Sequence, residues 1–112
     1  MLHPVEIYDY LCLARGRLFD WIRPLDAAAW RAEGPGGARS LAAVLTHTMV
    51  SEWYYRLRME QAVVPPEEQW PIREEAPPAA DELERLWTRQ AAGTRAALEF
   101  RETRQACSVS FE

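Results

Sequence analysis

A chain of 112 residues and 12.9 kDa is the size of one domain and is too short for a long repeat array. Its 48% hydrophobic and 27% charged residues suit a chain that buries a core, which excludes general disorder, and its longest charge-free stretch, 40–51, is shorter than the roughly 20 residues a membrane-spanning helix needs. The net charge is −4 and all thirteen cations are arginines set among acids of their own segments, so neither nucleic acid nor a membrane surface is expected as a partner.

The N-terminus, Met1-Leu2-His3-Pro4, has neither the basic leader nor the apolar core of an export signal. With Cys12 and Cys107 as a single widely spaced pair, a cytoplasmic location with reduced thiols is the expectation. The spacing of Tyr8, Leu11, Cys12, Leu18, Phe19 and Ile22 predicts a first helix over about 4–23 with those residues on one face. Pro24 ends it. Within 24–39, Gly34-Pro35-Gly36-Gly37 excludes a helix interior, while Asp26 can cap a short turn through Trp30. Ser40 caps a second helix that runs to about 61 and stops at Val63-Val64-Pro65-Pro66. The proline-rich stretch 65–78 reads as a long irregular connection around Trp70; its length implies that the helices it joins are not tight antiparallel neighbours, or that the loop covers something. A third helix is expected over about 81–104, with Leu83, Leu86, Trp87, Gln90, Thr94, Ala97, Leu98 and Arg101 along its inner stripe and Gly93 admitting a close neighbour. Ala106-Cys107-Ser108-Val109-Ser110-Phe111 alternates in the manner of a short strand. The predicted fold class is all-α, a bundle of long helices over a single domain, 1–112.

Candidate chemistry centres on His47, because His3 is expected to be solvated at a frayed end. At about 100° per residue, Glu52, Arg56 and Glu60 share one side of the second helix and His47 points nearly opposite. On that reading His47 looks inward as a buried neutral imidazole, hydrogen-bonded to a carbonyl or to a hydroxyl such as that of Tyr54. Sharper readings need more residues. A serine triad requires His47 beside Ser40, Ser51, Ser108 or Ser110 together with an orienting acid. A Cys12–His47 dyad requires the first two helices to align, and a carboxylate site would have to gather Glu52, Glu60, Asp9 and Asp20. Catalytic zinc needs about three protein ligands, more than one imidazole supplies.

The run Leu18-Phe19-Asp20-Trp21-Ile22, the loop ending Gly37-Ala38-Arg39-Ser40, and Ser40-Leu41-Ala42-Ala43-Val44-Leu45-Thr46-His47 followed by Ser51-Glu52-Trp53-Tyr54-Tyr55 resemble the first half of the DinB/YfiT-like superfamily. The linkage into Ala80-Asp81-Glu82-Leu83 is similar as well. The resemblance implies a DinB-like up-down four-helix bundle that binds a divalent metal, zinc or nickel, through three histidines, with His47 matching the ligand of the second helix. The other two ligands form an H-x-x-x-H pair on the family's fourth helix, and nothing here matches that pair. The expectation is a chain shortened by about one helix, roughly 40 residues with its connection, that keeps His47 as its one family-type metal ligand and is not catalytic as it stands. The rival reading implied by the family is a metal-dependent thiol S-transferase or hydrolase acting with a low-molecular-weight thiol, its fourth helix truncated here or supplied by another chain. Apolar surface that a fourth helix would cover predicts a homodimer, with helices or the segment 109–111 lying over the partner's groove.

Overall fold

The computed structural model describes residues 3–110 of the chain, with side chains through Thr103. The helices are α1 (Pro4–Ile22), the short α2 (Ala27–Arg31), α3 (Leu41–Met59) and α4 (Ala80–Ser110), with single 3-10 turns at Pro35–Gly37 and Glu67–Gln69. No strand occurs among the described residues, and no helix there is long and apolar enough to cross a membrane.

Local chemistry sets the boundaries much as expected. Pro4 stands in the first turn of α1, where its missing N–H is no loss. Asp26 caps α2 by accepting from the Ala29 amide at 2.8 Å, and Ser40 caps α3 by accepting from the Ala43 amide at 3.0 Å. α3 closes on a Schellman motif, in which the Ala62 amide reaches the Leu57 carbonyl and the Gln61 amide the Arg58 carbonyl. The motif puts Gln61 at φ +56°, a left-handed conformation that suits glycine better. Gln61→Gly is therefore expected to stabilise the protein by about 0.5–1 kcal/mol, read from urea unfolding; a destabilised variant would contradict the assignment of strain to this position.

One element departs from the sequence reading. The strand expected from Ala106 onward is absent, and α4 continues to Ser110; residues 111 and 112 lie outside the described part. A strand needs a neighbour to receive its amides and carbonyls, whereas a helix bonds its own, and no glycine or proline follows Arg104 to stop it.

α4 is the central element. Asp9 pairs with Arg95 and Arg23 with Glu84 across α1 and α4, so these two helices run antiparallel. α3 runs the same way as α4, since the Met49 carbonyl accepts from Gln90 and Glu52, three residues later, accepts from Thr94. The 60–79 connection therefore has to travel the length of the bundle. On the way it buries Ile72, packs Trp70 against Trp53 at 5.6 Å between ring centroids, and receives the Trp30 indole N–H on the Pro78 carbonyl at 3.0 Å. The proline-rich loop is thus a cover over α3.

The core joins Phe19 and Ile22 of α1, Trp30 of α2, Leu45 and Met49 of α3, and Leu83 and Trp87 of α4, with Phe19 edge-on to Trp87. Leu83, Trp87, Gln90, Thr94 and Ala97 are buried as expected, while Arg101 is exposed. Gly93 admits the Arg56 guanidinium, which occupies the space a β-carbon would take. α1 is less simple: Tyr8, Phe19 and Ile22 face inward, but Leu11 and Leu18, expected on the same face, are exposed.

Candidate functional site

His47 lies on the flank of α3 beneath the covering loop, with 53% of its side chain exposed. Its Nδ1 is 2.8 Å from Glu74 Oε1 of the loop, and its Nε2 is 3.5 Å from Ser51 Oγ one turn on. A carboxylate facing Nδ1 favours the tautomer that donates from that nitrogen, which leaves Nε2 to accept from the serine hydroxyl. Arg39, Trp70 and Glu75 line a shallow groove beside Glu74.

The inward histidine of the sequence reading is therefore corrected, and the reason is Glu52. This carboxylate does not share an outward face with Glu60. It turns into the bundle, where Oε2 accepts from the Tyr8 hydroxyl at 3.1 Å, the Gln90 amide at 2.8 Å and the Thr94 hydroxyl at 3.1 Å. The Arg15 guanidinium is 3.7 Å from Oε1 and lies over the Trp87 ring. Three donors and a cation outweigh the cost of burying one charge. Turning Glu52 inward rotates His47, about 140° away on the helix, towards solvent. Burial, reinforced by the Glu52 charge, holds the Tyr8 phenol well above its ordinary pKa, so Tyr8 donates to Glu52.

The other candidates do not assemble. Cys12 is contacted by Arg15 on α1, Ser40 is committed to its cap, and the side chains of Ser108 and Ser110 lie outside the described part. Asp9, Asp20 and Glu60 each pair with their own arginine, Arg95, Arg23 and Arg56. Asp9 is held below the usual carboxylate range chiefly by its hydrogen bond from Arg95. His3 is exposed at the start of α1 and makes no side-chain capping bond.

Glu74, His47 and Ser51 stand in the order of an acid, base and nucleophile relay. Ser51 lies in the interior of α3, however, where helical hydrogen bonds already use the neighbouring amides that an oxyanion would need. The donor set does not fit a family-type metal centre either. One imidazole with Nδ1 on a carboxylate falls short of three ligands, and no group of three His, Cys, Asp or Glu side chains gathers among the described residues.

Sequence reasoning missed Glu74 as the partner of His47 and Glu52 as the interior hub. The second had a signal: Gln90 and Thr94 are polar residues four apart on an inner stripe that is otherwise apolar from Leu83 to Leu98, and such a pair needs a buried partner. A family model described as the DinB superfamily matches residues 10–107. No curated protein and no solved structure shows significant similarity to the chain.

Proposed function

The chain belongs to the DinB superfamily, and from that premise we propose that it acts as a single, self-associating DinB-like helical domain whose own residues do not build the catalytic metal site of the family. The observation that carries this reading is the state of His47. Its Nδ1 is engaged by Glu74 and its Nε2 faces Ser51, with no second imidazole beside it among the described residues. The compartment that suits this reading is the cytoplasm, where Cys12 and Cys107 stay reduced.

The rival reading, a metal-dependent thiol S-transferase or hydrolase, requires further imidazoles from another chain or segment. One measurement separates the two. The purified protein is incubated with zinc or nickel, desalted, and analysed by native mass spectrometry and elemental analysis. Substoichiometric metal, unchanged in His47→Ala, is the expected outcome. One tightly held ion per chain or per dimer, lost in His47→Ala, would overturn the proposal and favour the enzyme.

A further inference from the structure

α1 carries two apolar stripes. One, Val5, Tyr8, Cys12, Phe19 and Ile22, with Arg15 among them, faces the bundle interior. The other is Ile7, Leu11, Ala14, Leu18 and Trp21, spaced by alternating steps of four and three residues, and Leu25 extends the same repeat past the helix end. Every member of this second stripe is exposed: Ile7 46%, Leu11 53%, Leu18 42% and Trp21 83%. A strict period of 3.5 is the pattern of a helix seam that packs against another helix. The outward face of α3 has the same spacing, but Thr48 and Ser51 interrupt it between Val44 and Tyr55.

The chain as a whole is more open than a compact monomer. The chain exposes 7973 Å², where a compact monomer of its mass exposes about 6,300 Å². The excess belongs to the chain as a whole, the 31-residue α4 included, and it leaves room for the roughly 800 Å² that each partner buries in a standard interface. Its radius of gyration is likewise 16.5 Å, against about 13 Å for a compact domain of this length.

The flank of the stripe supplies direction. Glu6 and Arg17 lie on the same side of α1, three turns apart. In a parallel pair each flank meets the opposite flank of the partner, so Glu6 and Arg17 find neither each other nor their own copies. An antiparallel copy brings Glu6 towards the partner's Arg17 in both halves, and it closes the assembly about a two-fold axis.

We propose that α1 pairs antiparallel with α1 of a second copy of this chain, with Ile7 against the partner's Leu18 and Leu11 against the partner's Ala14. This register overlaps the two helices over nearly their full length. The proposal rests on the self-association reading above and adds the surface and the direction to it.

The test uses the full chain at micromolar concentration. Sedimentation equilibrium is expected to give a dimer for the wild type and for Tyr55→Glu on α3. The double variant Leu11→Glu/Leu18→Glu is expected to dissociate at least about a hundredfold more readily, with its helical circular dichroism retained. A second measurement avoids new charge. In a Cys12→Ser/Cys107→Ser background, mixing the single variants Leu11→Cys and Ala14→Cys is expected to give a disulfide-linked heterodimer under mild oxidation. A wild-type monomer would overturn both the self-association reading and the pairing. A dimer split by Tyr55→Glu but not by the α1 charges would overturn the pairing alone. Self-linked Leu11→Cys with no mixed species would overturn the antiparallel direction.

Discussion

Replacing Glu52 with alanine is expected to destabilise the protein by about 3–5 kcal/mol, the cost of removing one partner from a buried charged cluster. The substitution takes the acceptor from the Tyr8 hydroxyl, the Gln90 amide and the Thr94 hydroxyl together, and leaves Arg15 uncompensated against Trp87. For a domain of this size the loss lowers Tm by roughly 15–25 °C. Glu52→Gln keeps an acceptor oxygen and most of the shape, so a loss of about 1–2 kcal/mol is expected. Equal losses for the two variants would show that the carboxylate charge, which both remove, holds the cluster, and not the acceptor oxygen or the volume that glutamine keeps. Thermal unfolding followed by circular dichroism distinguishes these outcomes.

The same cluster sets a dependence on alkaline pH. The folded state raises the Tyr8 pKa by burial first and by the Glu52 charge second. A raised folded pKa means that this contribution to stability is fully present below the unfolded value of about 10 and is lost as pH rises above it. Stability is therefore expected to fall above about pH 10, and Tyr8→Phe is expected to flatten that fall while losing one hydrogen bond at neutral pH. An unchanged alkaline slope in Tyr8→Phe would assign the effect to another group.

Sequence periodicity was enough for the elements that form locally. Ser40, Asp26 and the proline and glycine clusters placed the helix ends, and the inner stripe of α4 was legible because Leu83, Trp87 and Ala97 recur on one face. It failed where tertiary structure decides. Placing Glu52 outward follows from its charge, yet three donors from two other helices turned it inward and took His47 out with the rotation. Glu74 lies 27 residues beyond His47 in an irregular loop, so no helical spacing could bring the two together on paper. Periodicity alone puts Leu11 and Leu18 on one face with Phe19, because a wide apolar arc on an isolated helix does not reveal that it serves two neighbours.

Leu83→Ala is expected to cost about 3–5 kcal/mol, within the range found for fully enclosed leucines. Leu83 is wholly buried, one of the largest side chains to be so, and belongs to the core cluster that joins α1, α2 and α3 to the first turns of α4. Its surroundings have little freedom to collapse into the space left behind. Glu84 is fixed by the Arg23 guanidinium, and the end of the covering loop is held by the Trp30 indole on the Pro78 carbonyl. A cavity at that point persists, so the cavity cost adds to the lost transfer energy. Leu83→Met, which keeps the volume, is expected to lose less than about 1.5 kcal/mol. Ala in place of the exposed Leu13 is expected to change stability by no more than about 0.5 kcal/mol. A loss for Leu83→Ala as small as that expected for Leu83→Met in urea unfolding would show that the site collapses, and rigid packing at the α4 entry would be the wrong account.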